Sequence, residues 1–419
     1  MIKHLLPILC FAILLSSCSE NALEPETTND EALIKSSDTS KYSDPNGRAN
    51  LPNENISPVN GNDTGIVQAA IDRATAKNTN GRPGGRVTLK KGTYQLEGVV
   101  LKSNVHIEIE KGTRIVPQLR SRGSSNIFLL GRDGIEIKNV SIRGKGGKFT
   151  VKYPPNTNTI VNGRGVRSFI LGKVSNFLLK DFNVIDRYTK FSVVACITTG
   201  TTDNDRPRNG TFENISVQNL SHGYGVVQVN AGANLVLRNL KSTGGVAARI
   251  ETDLHDNIIN QIGVDNISIF NVQTTDGYTP LLMNPHAIHN GRVTADNVKA
   301  MRCEFAVLIR DGFVAKDIPA DGLTPGSFAQ GSKVTRINAV YGDNVPSHPK
   351  NNKYRPFSLR SEFAESSGEA DPGISHRGPS ITAVGNFAGD EVTVLESEVT
   401  HSGYKVGEHV KITTKPVTR

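Results

Sequence analysis

Ten residues, Val246-Ala247-Ala248-Arg249-Ile250-Glu251-Thr252-Asp253-Leu254-His255, separate cleanly by parity. Val246, Ala248, Ile250, Thr252 and Leu254 form a mostly apolar set; Arg249, Glu251, Asp253 and His255 form an ionisable one. Successive strand side chains point to opposite faces, so this pattern predicts a strand with one buried face and one charged face. Glu251 and Asp253, at i and i+2, then sit about 6.5–7 Å apart at the backbone, from a rise of roughly 3.3 Å per residue. That gap admits a water molecule and a sugar linkage, the arrangement of a two-carboxylate hydrolase. The same residues also suit an inert solvated face, because surface ion pairs are common and contribute little. The elements around them decide between the two.

Those elements repeat. Residues 135–140, 177–182, 209–215, 235–240, 267–272 and 292–298 each read as an alternating strand closed by Asn or Asp and then an apolar residue. From Asn214 to Asn239 is 25 positions, from Asn239 to Asn271 is 32, and from Asn271 to Asn297 is 26. A period of this size with occasional insertions marks a solenoid of β coils. Asn turns the chain sharply, tolerates left-handed backbone angles and, stacked in register, forms a side-chain ladder. The leucine pattern of the competing leucine-rich repeat is missing. Frequent Gly, no Trp and the lack of long amphipathic helical runs agree with a β protein.

One helix is expected, opened by Asp63-Thr64 and carrying an apolar stripe of Ile66, Val67, Ala70, Ile71 and Ala74. Gly84-Gly85-Arg86-Val87-Thr88-Leu89 and Lys91-Gly92-Thr93-Tyr94 follow as strand, turn and strand. This opening resembles that of pectin-lyase-like right-handed parallel β-helices, and a stack of strands needs such a plug over its first coil. The predicted fold is all-β: a right-handed parallel β-helix with a short N-terminal capping helix.

The coil period gives the acidic strand its neighbours. Gln228 lies 23 positions before Glu251, about one coil, so it is expected beside Glu251 at roughly 4.8 Å. The next coil supplies His286, in Met283-Asn284-Pro285-His286-Ala287-Ile288-His289, with Pro285 marking an irregular strand end. The coil after that carries Arg310. Gln228, Glu251, Asp253, His286 and Arg310 thus converge on one groove, although a lone Gln or His in a strand more often makes a structural hydrogen bond.

The remaining chain sets the context. Lys3 and the apolar run from Leu5 to Leu15, too short to span a bilayer, lead into Leu15-Ser16-Ser17-Cys18. This resembles a bacterial lipobox. Residues 1–17 are expected to be a lipoprotein signal peptide, Cys18 the lipidated N-terminus, and residues 18–50 a disordered tether. Residues 51–419 then form a single β-helix catalytic domain, with closing strands in 381–419. The protein is expected to be exported and held by its lipid at the outer membrane or cell surface of a Gram-negative bacterium, or secreted, and to be a monomer. Cys196 and Cys303 lie in apolar runs and read as buried thiols. A formal charge of +8 on an exported chain suits an acidic polysaccharide rather than nucleic acid.

Gln228, then Glu251-x-Asp253 about one coil later, then His286 on the next coil, in an exported β-helix, resembles the iota-carrageenase family of glycoside hydrolases. The resemblance runs from about Asn50 to at least Arg360. It implies endo-hydrolysis of β-1,4 linkages in a sulfated galactan with inversion, Glu251 as proton donor, Asp253 as base for the attacking water, and Gln228 and His286 in support. His289 is the alternative to His286. The residues alone leave open which carboxylate holds the proton, since a neighbouring carboxylate raises one pKa while Arg249 favours ionisation. Arg binds sulfate through paired hydrogen bonds; Arg249, Arg310 and Arg360 are the candidates, with Arg132 and Arg143 behind them. No cofactor is expected for the chemistry, while family members can hold calcium or other ions, whose ligands the spacing here does not reveal. Residues 318–347 read as loops and the acidic segment 366–373 as a solvated loop. Three rival readings remain. A polysaccharide lyase would need an acidic calcium cluster. A polygalacturonase-like hydrolase is resembled only superficially by Ser221-His222-Gly223. A non-catalytic glycan-binding lipoprotein would want aromatic platforms, and aromatics are 6% of the chain.

Overall fold

The structure is a computed structural model that describes residues 40–45, 47–59, 61–121, 123–155, 165–318 and 322–418. The apolar leader, Cys18 and the expected tether up to residue 39 lie outside the described residues. Twenty-three strands join one sheet, and coil after coil pairs in parallel. The sheet winds into a right-handed parallel β-helix. Its alternating inward residues stack into one core, where Phe128 and Phe169 lie 5.3 Å apart and Phe169 and Phe182 5.1 Å apart, centroid to centroid. Such pairs add roughly 0.5–1.5 kcal/mol each beyond area burial. Cys196 and Cys303 are buried free thiols.

The corners explain the repeat. Three successive coils turn twice at residues five apart, Asn209 and Asn214, Asn234 and Asn239, then Asn266 and Asn271, all with left-handed backbone angles. Their amides form two ladders along the axis. Asn139 donates to Asn104, Asn176 to Asn139 and Asn266 to Asn234 in the first (2.9, 2.9 and 2.6 Å). Asn271 donates to Asn239 and Asn297 to Asn271 in the second (3.1 and 2.7 Å). Two similar corners per coil also mislead the eye. The sequence pattern equates Asn139 with Asp181, but Lys138 pairs with Ser175 and Arg143 with Lys180. Asn139 therefore stacks on Asn176, and Gly144 takes the place opposite Asp181.

Helix α1 (Thr64–Thr75) buries Val67, Ala70, Ile71 and Ala74 against the first coil. Asp63 does not cap it through its side chain; the carboxylate instead accepts from the backbone amides of Val59 (2.6 Å) and Gln95 (2.8 Å), tying the plug to the strand beneath. The packed body begins before residue 51. Tyr42 is buried, the amides of Lys41 and Tyr42 donate to Thr211 Oγ1, and Asp44 pairs with Arg48 and Arg143. The stretch from Ser40 is thus docked rather than free, and Arg143 is occupied there, away from any groove.

Beyond residue 318 the expected loops contain the strand Ser332–Tyr341, whose alternation is broken by left-handed Arg336. A small antiparallel sheet of Val345–Ser347, Ala364–Glu365 and His376–Gly378 follows, with 3-10 helices Pro349–Tyr354 and Phe357–Glu362 between its strands. The expected solvated loop 366–373 is not one: buried Asp371 accepts from Ser221 Oγ (2.8 Å) and from the His222 amide (2.6 Å). Thr382–Asn386, Val399–Gly403 and Ile412–Thr413 add parallel rungs at the C-terminal end.

The ladder has a measurable weight. Asn271→Ala removes two amide hydrogen bonds and puts a β-carbon residue without local compensation at φ 53°, so it is expected to destabilise by about 2 kcal/mol. Asn271→Gly removes the same bonds but no longer strains the backbone, and is expected to cost roughly half as much. Equal losses for the two variants in denaturant titrations would show that backbone strain contributes nothing at this corner.

Candidate active site

Four strands carry the site. The C-terminal part of β1 (Arg208–Val229), that of β2 (Gly232–Glu251), then β3 (Thr279–Asn284) and β4 (Phe305–Ile309) stack in parallel on one face. Gln228 pairs with Arg249, not with Glu251. Two register irregularities in β1, between Val217 and Leu220 and between Leu220 and Gly225, account for the difference. They shorten the coil from the 25 positions of Phe212↔Leu237 to the 21 of Val227↔Ala248.

The register sets each contact. The Arg249 guanidinium donates to Gln228 Oε1 (3.1 Å) and pairs with Glu251 Oε2. Gln228 Oε1 also accepts from Ser192 Oγ (2.8 Å), so the amide holds Arg249 in place rather than meeting a carboxylate. Glu251 ends β2 and is 7% exposed. Its Oε1 accepts from Asn284 Nδ2 (2.9 Å) and lies 3.2 Å from His286 Nε2. His286 adopts φ 49° just after Pro285, which swings its ring back over the strand end and against Phe313 (4.8 Å). Asp253 lies beyond the strand, where the chain turns into the short helix His255–Ile259. Asn230 steers it, donating from Nδ2 to Asp253 Oδ1 (2.5 Å) and to the Glu251 carbonyl (2.9 Å). Asn230 and Asn284 are the site residues that sequence reasoning missed. Both close an apolar strand run, where they look like any corner Asn.

The two carboxyls are driven apart electrostatically. Burial pushes Glu251 up, but the Arg249 charge and the hydrogen bonds from His286 and Asn284 outweigh it and hold the carboxyl below its usual range. Burial and then the Glu251 charge raise Asp253, against weaker pulls from Arg249 and His286. The free site therefore keeps Glu251 ionised and favours the proton on Asp253. Glu251, Asp253 and His286 each offer one metal-ligating atom within 4.8 Å of the others. Arg249 already neutralises Glu251 there, so a metal cation would have to displace or face a guanidinium. The set suits proton transfer better than metal binding.

Other sequence candidates go elsewhere. Arg310 follows β4 and continues its row past Asn284, but its guanidinium donates to Tyr278 Oη (3.0 Å) and Asn351 Oδ1 (2.9 Å). Arg360 is not in a strand at all. It sits on the 3-10 helix Phe357–Glu362 and donates to the carbonyls of Arg355, Lys353 and Val417, which makes it a structural tie. His289 faces Ser327 and Thr324, each at 2.8 Å, so His286 is the histidine at the carboxylates. His255 is exposed at the start of its helix, and His222 is buried against Tyr278.

Comparison with known proteins gives this geometry a family. No protein-family model matches the chain. An iota-carrageenase of Zobellia galactanivorans is 30% identical over 412 residues, covering 94% of this chain and 80% of that protein. The chain belongs to the iota-carrageenase family. An iota-carrageenase of Alteromonas macleodii is 33% identical over 266 residues, 63% of this chain and 53% of that one. A solved 1,3-α-1,4-β-D-galactose-4-sulfate-3,6-anhydro-D-galactose-2-sulfate 4-galactohydrolase superposes with a TM-score of 0.76 at 26% identity, covering 89% of this chain and 94% of its own. Iota-carrageenases are glycoside hydrolases, so this chain is an enzyme of that class.

Opposite stability changes are expected at the two carboxyls. Glu251, lowered on folding, stabilises the fold above its ordinary value of 4.5, and this is lost as pH falls below it. Asp253, raised on folding from 3.8, costs stability once the pH is above that value. At pH 7, Glu251→Gln strands the buried guanidinium and is expected to cost about 3 kcal/mol. Asp253→Asn keeps an acceptor for Asn230, removes the repulsion and is expected to raise Tm. Melting curves showing both variants equally destabilised would contradict this electrostatic account.

Proposed function

We propose that the chain cleaves β-1,4 linkages within iota-carrageenan with inversion, Glu251 giving the proton to the leaving oxygen and Asp253 drawing one from the attacking water. The observation that carries this reading is the pair of sequestered carboxyls, with divergent proton affinities, at the open end of one strand. His286 steers Glu251 through Oε1, and Gln228 acts one step back by holding Arg249. Sulfate esters are the natural competitors for that guanidinium, because they accept its paired hydrogen bonds. Once a sulfate draws Arg249 away, Glu251 is left buried beside another carboxylate, both of which favour its protonation. The pair shares its protons and titrates as a unit, so substrate binding converts Glu251 into the acid and leaves Asp253 as the base. Arg310, whose direct partners are neutral, is the second sulfate candidate; Arg360 is withdrawn from that role. The two-carboxylate reaction needs no metal, and bound calcium, where present, is structural.

A retaining displacement is the second reading. It is favoured by the closest oxygens of the two carboxyls lying within 4.8 Å, against separations of about 6.5–9.5 Å for inverting pairs and about 5–5.5 Å for retaining ones. Proton NMR of the first anomer formed separates the two.

The assay is incubation with iota-, kappa- and lambda-carrageenan and pectate, following reducing ends and ultraviolet absorbance. New reducing ends from iota-carrageenan without unsaturation are expected, insensitive to EDTA, reduced by high salt as screening weakens the arginine contacts, and lowered roughly 10²–10⁴-fold in Glu251→Gln and Asp253→Asn. Unsaturated products would make the protein a lyase.

Lipid anchoring through Cys18 would place this chemistry at the outer membrane, on an extracellular polymer. Cys18→Ala is then expected to move the enzyme from the membrane fraction to the soluble one and to abolish labelling with palmitate. An unchanged distribution would rule out the anchor.

A further inference from the structure

Outward-facing charges on this β-helix are generally answered by the coil above or below. Lys180 and Arg238 flank Glu213, Arg48 and Arg86 meet Glu108, and Asp276 takes Arg302. Arg167 is an exception. It lies on the strand Val166–Leu171, three coils before β2, since Ile170 pairs with Ala195, Ala195 with Gln228, and Gln228 with Arg249. Its guanidinium is stacked on the Phe191 ring, 3.7 Å from the centroid. Its Nε is buried without a hydrogen-bond partner. Among the described residues no carboxylate pairs with Arg167, and residues 156–164, which precede it, contain no Asp or Glu.

Its surroundings add to the demand for an anion. Burial pulls the Arg167 pKa down to about 10, partly offset by Tyr153 and deepened by Arg132, a second cation on the coil before. Tyr224 is a further group acting on Arg167, and the same ring lies 5.7 Å from the Arg249 guanidinium. Tyr224 is thus common to the surroundings of Arg249 and of Arg167. A half-buried cation with no counter-ion is costly unless a ligand supplies one. Stacking on Phe191 fixes the plane of the fork, and a planar guanidinium held this way is suited to paired hydrogen bonds with an anion.

We infer that Arg167, held flat by Phe191, is a distal subsite for a sulfate ester of the bound polymer, remote from the bond being cut. This rests on the hydrolase reading above and names a further contact for the same substrate. Three coils at about 4.8 Å, with about five residues of offset along the strands between Arg167 and Glu251, put it on the order of 20 Å from the carboxylates at the backbone, roughly four sugar units away. A tetrasaccharide with two sugars on each side of the scissile bond does not reach it; an octasaccharide does.

The test is Arg167→Met, which keeps apolar cover for Phe191, assayed on iota-carrageenan tetrasaccharide and octasaccharide and in thermal melts. KM for the octasaccharide is expected to rise roughly tenfold, the weight of one charge-assisted contact, with kcat unchanged and tetrasaccharide kinetics untouched. The melting temperature is expected to hold or rise, because an unanswered buried charge has gone. A lowered melting temperature with unchanged octasaccharide KM would make Arg167 structural and overturn the subsite, as would an equal loss on both substrates. Failure of the wild-type protein to release reducing ends from either would instead overturn the hydrolase reading, a separate result.

Discussion

Parallel stacking is the constraint on which the molecule depends. Every residue on a coil has a neighbour about 4.8 Å above and below, so a side chain's chemistry is decided less by its own sequence neighbours than by the register of the next coil. At the corners this stacks Asn on Asn, and each amide donates to the one before it. On the charged faces it sets acid against base. At the site it lays Gln228 beside Arg249 and Asn284 beside Glu251. A two-residue slip, intermediate between the one- and three-residue shifts that β1 contains, would put Gln228 against Glu251 and leave the guanidinium without its support.

The ion pair between Arg249 and Glu251 makes the resting site stable and also keeps it inactive as an acid. With the guanidinium in place, Glu251 is a carboxylate and cannot protonate a leaving group. Its removal without a replacement counter-ion would be expensive in so buried a place. In the proposed mechanism a sulfated substrate supplies that replacement, so activation and selectivity would have one cause. A neutral galactan offers nothing to take the guanidinium. An anionic polymer without a sulfate at the right sugar would bind the face without freeing Glu251. The unusual backbone of His286 belongs to the same arrangement: its left-handed turn brings the ring to Glu251 Oε1, where it can follow the proton without competing for Oε2.

Much of this was legible in the amino-acid sequence, and the failures have physical causes. The parity of residues 246–255 marks the acidic strand because strand alternation is local. The spacing of Asn214, Asn239, Asn271 and Asn297 gives the coil because corners recur with the fold. Register across coils was misjudged where bulges in β1 absorb four residues, since nothing in a run such as Ser-His-Gly-Tyr-Gly reports how much chain it takes up. Asn230 and Asn284 were overlooked because an amide ending a strand has the same signature as one turning a corner. Phe357-Ser358-Leu359-Arg360 alternates as a strand would, and the short 3-10 helix that actually holds Arg360 has no period long enough to show in the sequence. The outer sheet around residues 345–378 was invisible for the same reason, its strands being two or three residues long.

Charge placement then distinguishes scaffold from working surface more sharply than residue type does. A basic chain could spread its excess evenly, yet the described arginines of the outer faces mostly meet carboxylates on adjoining coils. In a solenoid this is close to obligatory, because like charges stacked one coil apart repel and both remain partly desolvated. Some arginines escape the rule: Arg355 and Arg360 tie the outer segment together through neutral groups, Arg310 meets Tyr278 and Asn351, and Arg167 stacks on Phe191 with no carboxylate among the described residues. Arg249 is the intermediate case, paired with Glu251, the carboxylate that the proposed mechanism sets free. On the proposed reading, Arg249, Arg310 and Arg167 are positive charges left incompletely neutralised by the fold, and the counter-charges that complete them arrive with the substrate.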